Sequence, residues 1–226
     1  MSDTMIDING ASVVADRSGA LWWPAERLLA VADLHLEKGS SFAKTGQLLP
    51  PYDSRATLSR LNATVARFEP KTIVCLGDNF HDPDGPNRLD AESKGMVALL
   101  QRRRRFVWIE GNHDAAAAAA LGGESAPEIE LGPLLFRHEP REGHAPGELA
   151  GHLHPVAIAV TRARHLRRRC FVSDGTRCVL PAFGAYTGGL DVFDPAFSPL
   201  FPQSFQAFLI GRDRVYPFSH SRLAAE

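Results

Sequence analysis

Three short apolar runs, Leu28 to Ala32, Thr72 to Leu76 and Phe106 to Ile109, each stop at a polar cluster. The clusters are Asp33-Leu34-His35, Gly77-Asp78-Asn79-Phe80-His81 and Gly111-Asn112-His113-Asp114. Apolar runs this short, bounded by loop residues, read as buried strands. Helical patterns lie between them. Tyr52 to Phe68 follows Pro50-Pro51 and sets Leu58, Leu61 and Val65 at helical spacing, and Leu89 to Gln101 reads as a second helix. The alanine run from Ala115 to Ala120 predicts a helix beginning just beyond His113. This strand–loop–helix alternation constrains the chain to an α/β sheet with helices on its faces and functional groups beyond the carboxyl ends of the strands.

Past residue 122 the pattern changes. Leu134 to His138, Pro155 to Thr161, Cys170 to Ser173 and Arg177 to Leu180 read as successive strands, with Asp174-Gly175 as a hairpin turn. Phe205 to Ile210 and Val215 to Phe218 form a further hairpin. No Pro-, Gly- or Ser-rich linker divides the halves, so the expectation is one domain over residues 1–226, with its site where the halves meet.

Bulk properties narrow the function classes. A formal net charge of −1 gives no overall pull toward nucleic acid or anionic membrane. The N-terminal stretch carries Asp3, Asp7 and Asp16 and lacks a secretory signal pattern, and no apolar run approaches the length of a membrane span. Three cysteines, Cys75, Cys170 and Cys178, without a CxxC spacing, read as reduced structural thiols of a cytoplasmic protein.

Two more clusters complete the set: a lone His138 and Gly151-His152-Leu153-His154. Carboxylate, amide and imidazole groups in company serve acid–base chemistry or hard and borderline metal ions. On an extended strand end, Asp33 and His35 point the same way and offer one ion an oxygen and a nitrogen. Asp78 is the natural bridge between two ions, because a carboxylate has lone pairs to share. Asn112 adds an amide oxygen, and His138, His152 and His154 add imidazoles. Two such ions roughly 3.5–4 Å apart suit hydrolysis of a phosphate ester by a metal-activated water. His113 reads as the acid at the phosphate or leaving oxygen, with Asp114 orienting its ring.

The series DLH, GDxxH, GNHD, a lone His and GHLH resembles the calcineurin-like binuclear metallophosphoesterases over about residues 28 to 160. The resemblance implies an α/β (α+β) fold, an αββα sandwich of two facing mixed β-sheets flanked by helices. It implies Asp33, His35 and His154 as ligands of one ion, Asn112, His138 and His152 as ligands of the other, Asp78 between them and His113 as catalytic acid. The stretches Ala32-Asp-Leu-His-Leu-Glu-Lys-Gly39, Gly77-Asp-Asn-Phe-His-Asp82 and Phe183-Gly-Ala-Tyr-Thr-Gly-Gly189 look like the bacterial ligase-associated DNA damage response endonucleases. That likeness implies a manganese-dependent phosphodiesterase nicking single-stranded DNA, associated with an ATP-dependent DNA ligase, a helicase and an exonuclease. Fe, Zn, Ni or Mg would also suit these ligands. His81, where many members of the wider superfamily carry another polar residue, is a candidate for contacting the phosphate or tuning the metals.

Two rival readings stand beside this one: a phosphoesterase acting on a nucleotide or lipid-linked diphosphate, favoured by the near-neutral charge, and a binding module that has lost catalysis, disfavoured by the complete ligand set. His144, His165 and His220 read as background. The runs Arg102 to Arg105 and Arg162 to Arg169 fit either phosphate-backbone contact or solvated edges, while Arg137, beside His138, is the better phosphate candidate. Phe183 and Tyr186 fit either a base-stacking platform or core filling and a tight turn, the second being preferred.

Overall fold

The computed structural model describes residues 4–113, 118–160 and 165–225. The first sheet holds β1 (Thr4–Ile8), β2 (Ala11–Ala15), β3 (Leu21–Trp23), β4 (Leu28–Val31), β5 (Thr72–Leu76), β6 (Arg105–Ile109) and β7 (Glu124–Ala126), hydrogen-bonded in that order. β1 to β4 pair antiparallel and β4 to β7 parallel. The inner parallel strands β4, β5 and β6 read as apolar runs because both faces are covered, whereas the edge strand β7 is polar and largely exposed. Leu28, Ala30, Val74, Leu76, Val107 and Ile109 face one core, and the alternate residues Leu29, Val31, Ile73, Cys75, Phe106 and Trp108 face another.

Helices cover that second face. They are α1 (Lys38–Ala43), α2 (Asp53–Phe68), α3 (Gly85–Arg88) and α4 (Ala91–Gln101). α2 lays Leu58, Leu61 and Val65 on the sheet, as its spacing predicts, and α4 adds Val97 and Leu100. α4 starts where the Asp90 carboxylate accepts the Ser93 amide at 2.6 Å.

The second sheet is built from β8 (Glu128–Leu131), β9 (Leu134–Arg137), β10 (Glu148–Ala150), β11 (Pro155–Val160), β12 (His165–Ser173), β13 (Cys178–Val179), β14 (Leu190–Asp191), β15 (Gln206–Ile210), β16 (Val215–Ser219) and β17 (Leu223–Ala224). Its main path is β14-β11-β12-β13-β10-β9-β8, with β15 on β12, β16 on β15 and β17 on β11. Phe136, Leu149, Phe171 and Phe208 pack against the first sheet. Each such side chain contributes about 1.5–3 kcal/mol by leaving water. The outer face is closed by Val192, Phe197, Leu200, Phe201 and Phe205 from the 190–205 segment. The two mixed sheets in a sandwich are the expected fold.

Three details differ from expectation. β12 begins at His165 rather than Cys170, so Arg167 to Arg169 lie inside a strand. Beyond His113, Ala118–Leu121 forms a 3-10 turn rather than an α-helix, and residues 114–117 lie outside the described residues. β1 to β3 form an antiparallel extension of the parallel core that the sequence reading passed over, with burial alternating along β1.

Candidate metal centre

The carboxyl ends of β4, β5 and β6 open onto the loops that follow β9 and β10, and all five clusters meet there. Asp33, His35, Asp78, His152 and His154 have φ of 53°, 41°, 43°, 68° and 48°. The i, i+2 pairs therefore converge through left-handed backbone, not as same-face residues of an extended strand end, and the expectation is corrected on that point. Left-handed backbone costs a residue with a side chain roughly 1–2 kcal/mol. It is held by cross-links: the His35 amide donates to Asp78 O at 2.9 Å, the His152 amide to both Asp33 carboxylate oxygens at 3.1 Å, and the Gly151 amide to His138 O at 2.9 Å. Gly111 lets Asp78 approach; a Cβ there would sit 2.1 Å from the Asp78 amide nitrogen. Gly77 (φ +73°) does the same for His138, whose ring would lie 2.5 Å from an added Cβ.

Donor atoms fall into two triads, each spanning no more than 4.8 Å: Asp33, His35 and His154, and Asp78, His138 and His152. His35 Nε2 lies 3.3 Å from His154 Nε2, which is 3.4 Å from Asp33 Oδ1. In the other triad His138 Nε2 lies 3.2 Å from His152 Nδ1 and 3.4 Å from Asp78 Oδ1. The second oxygen of Asp78 turns to the first triad, 3.8 Å from His35 Nε2. Asn112 Nδ2 stands 3.4 Å from His152 Nδ1, beside the second triad.

The electrostatics fit cations. Burial pushes the His35 imidazole down to about 4, against Asp33, so it is a neutral lone-pair donor at neutral pH. Burial also lowers His152. Burial would lower His138 too, but the Asp78 hydrogen bond and the charges of Asp33 and Asp78 outweigh it and raise that ring to about 9. Burial would raise Asp78, yet His138, the His113 amide and His35 hold its carboxyl well below the usual range. His138 Nδ1 lies 2.9 Å from Leu76 O, which can only accept, so Nδ1 carries hydrogen and Nε2 faces the triad. A divalent ion between these groups would take the place of the proton on Nε2, and mixed oxygen and imidazole ligands suit such ions.

His113 is at the mouth, its side chain 51% exposed and its Nε2 3.8 Å from Asp78 Oδ2. Its ring stacks on His81 (5.8 Å, 15°), and His81 stacks in turn on Phe42 of α1 (5.4 Å, 27°). Asp114, expected to orient His113, lies outside the described residues. The sequence reading missed Phe42, which carries no motif.

The remaining candidates separate. Arg137 is on the face of β9 opposite Phe136 and pairs with Glu128, while its other terminal nitrogen is 3.6 Å from Glu148; this removes it as the phosphate group. Phe183 is wholly buried under the Arg60 guanidinium, and the Tyr186 hydroxyl donates to Pro50 O at 2.9 Å, so the core-filling reading holds. Arg102 to Arg105 stand at the amino end of β6, the far end from the triads, where Arg104 reaches the Leu99 and Leu100 carbonyls at the end of α4. Arg167 and Arg169 donate to Gly189 O and Ala182 O, and residues 161–164 lie outside the described residues. His144, His165 and His220 join neither triad; His220 packs against Phe193 and Phe205.

The family model for calcineurin-like phosphoesterases matches residues 26–161, the span that carries every cluster. The chain belongs to the calcineurin-like phosphoesterases. Among solved structures, the nuclease MPE of Pseudomonas putida is similar at a TM-score of 0.74 and 32% identity, covering 96% of this chain and 100% of that one. YfcE, a phosphoesterase from E. coli, aligns at a TM-score of 0.42 and 16% identity over 85% of this chain and 98% of its own. No curated protein matches. This calcineurin-like phosphoesterase is a metal-dependent hydrolase of phosphoester bonds, and its family uses a binuclear divalent centre. Among the described residues no helix is long and apolar enough to cross a membrane.

Proposed function

We propose that the phosphoesterase is a cytoplasmic phosphodiesterase that cleaves single-stranded DNA in repair, with manganese as its resident metal. Asp33, His35 and His154 would hold one ion and Asn112, His138 and His152 the other, with Asp78 between the two sets. The observation that carries this reading is the two adjacent triads with one oxygen of Asp78 turned to each. When bound, the ion pair supplies an activated water and neutralises charge on the phosphoryl oxygens.

The chain's own groups do the rest. Asp78, ionised throughout the working range, keeps both triads in register. The Leu76 carbonyl fixes the His138 tautomer, so Nε2 stays aimed inward. His113, exposed and facing Asp78, donates a proton or hydrogen bond at the leaving oxygen, Asp114 orients it, and His81 beside it contacts the phosphate. Likeness to the P. putida nuclease over nearly the whole chain supports a nucleic acid as substrate, and the family resemblance supports single-stranded DNA and association with an ATP-dependent DNA ligase, a helicase and an exonuclease. The formal net charge of −1 favours a second reading, a nucleotide or lipid-linked diphosphate as substrate.

Circular single-stranded DNA with manganese decides between them: linear product is expected, and an intact circle alongside hydrolysis of small esters would overturn the nuclease reading. Asp78→Ala should lose more than about 100-fold in activity, the upper range seen for outer-shell partners alone. Retained turnover would overturn the ligand assignment.

A further inference from the structure

The rings of His113, His81 and Phe42 form a stacked row beside the triads, with His113 and His81 each 5.8 Å from the ring of His35. Lys38 lies against the last ring, its ammonium 5.8 Å from the Phe42 ring centroid. Among the described residues Lys38 makes no ion pair or hydrogen bond. Burial lowers its affinity for the proton, and the charge of Asp53 only partly restores it. The Asp53 carboxylate is occupied instead by the Gly39 amide at 3.1 Å. A half-buried cation in no direct ion pair, next to a half-buried aromatic ring beside a phosphoester site, is an incomplete arrangement. The chain continues from α1 into a wholly exposed stretch that includes Leu48, 87% exposed.

We propose that Lys38 and Phe42 form a subsite for the nucleotide next to the scissile phosphate, with Phe42 against the base and Lys38 on the following phosphate. This inference rests on the nuclease reading. The alternatives on the same molecule are weaker: Phe183 is buried, Arg137 is paired, and Arg102 to Arg105 stand at the wrong end of the sheet. A ring and a cation in sequence match an unpaired strand, whose bases have free faces and whose phosphates recur at each nucleotide.

Steady-state kinetics on oligothymidylate and on bis(p-nitrophenyl) phosphate, with Lys38→Met, Lys38→Arg and Phe42→Leu, test it. For Lys38→Met and Phe42→Leu the ratio of kcat/KM on the oligonucleotide to that on the small diester should fall about 10-fold, through KM. Lys38→Met should flatten the slope of log KM against log salt by about 0.7, the mark of one lost phosphate contact on a single strand, and Lys38→Arg should restore it. A ratio within twofold of the parent in both variants overturns the subsite, as does equal loss on both substrates, which would mark a structural role. A parent enzyme that leaves the oligonucleotide intact overturns the nuclease reading and the subsite together; cleavage with unaltered ratios overturns the subsite alone.

Discussion

The two sheets contribute different chemistry to one centre. The first, through the ends of β4, β5 and β6, supplies both carboxylates, the amide of Asn112 and the rings of His35 and His113. The second supplies imidazoles alone, from His138, His152 and His154. Neither sheet holds a complete triad: Asp33 and His35 need His154, and Asp78 needs His138 and His152. The centre is a product of sheet packing, so ions bound there would act as a clamp between the two layers.

Chelation is the strongest way to break that view. Withdrawing divalent ions should abolish turnover and lower Tm by roughly 5–10 °C, taking about 2.7 kcal/mol for ions at 100 times their Kd and about 2–4 °C per kcal/mol at this chain length. Calorimetry with and without manganese measures it, and an unchanged Tm would mean the layers hold without the clamp. Next come two glycines, Gly111 packed within the first side against Asp78 and Gly151 of the second side packed against Asp33. Gly111→Ala drives a Cβ to 2.1 Å from the Asp78 amide nitrogen, which is backbone, whereas Gly151→Ala meets side-chain atoms at longer range, the Asp33 carboxylate at 2.6 Å and the Ala32 Cβ at 2.9 Å. Gly111→Ala should therefore cost more, about 100-fold in kcat for a shift near 1 Å. A larger loss in Gly151→Ala would mean that the contact across the sheets yields less than the contact within the first one.

The smallest effect concerns the first side alone. Arg88 clasps Asp82 with two hydrogen bonds, of 2.9 and 2.6 Å, next to His81. The Arg88 hydrogen bond leads the forces that hold the Asp82 carboxyl well below its usual range. A depressed carboxyl adds stability above its unfolded pKa and loses it as pH falls through the folded value. Arg88→Met should thus cost about 1 kcal/mol at pH 7, with the difference from the parent shrinking below about pH 4. Urea melts at pH 7 and pH 3 check the sign.

What the sequence disclosed follows the same division. The strands of the first sheet, buried on both faces, announced themselves as apolar runs, and their polar ends marked Asp33, Asp78 and Asn112 directly. The single-letter pattern DLH holds ligand identity but not backbone conformation, so the left-handed turns at Asp33 and His35 were hidden in it. The arginines in β12 masked a strand because they sit on its solvent-facing half, His165 to Arg169. Arg137 misled because adjacency in sequence places neighbours on opposite faces of a strand. Phe42 and Lys38 were invisible for another reason: their relation to His81 arises only when α1 folds back over the second cluster.

The left-handed turns also sort mutational experiments on the centre. Asparagine and aspartate tolerate that conformation better than other side chains, so Asp33→Asn and Asp78→Asn remove charge while leaving the turn in place. Valine or isoleucine at either position would break backbone and ligand at once and report their sum. Only the amide variants can measure what the negative charge itself contributes.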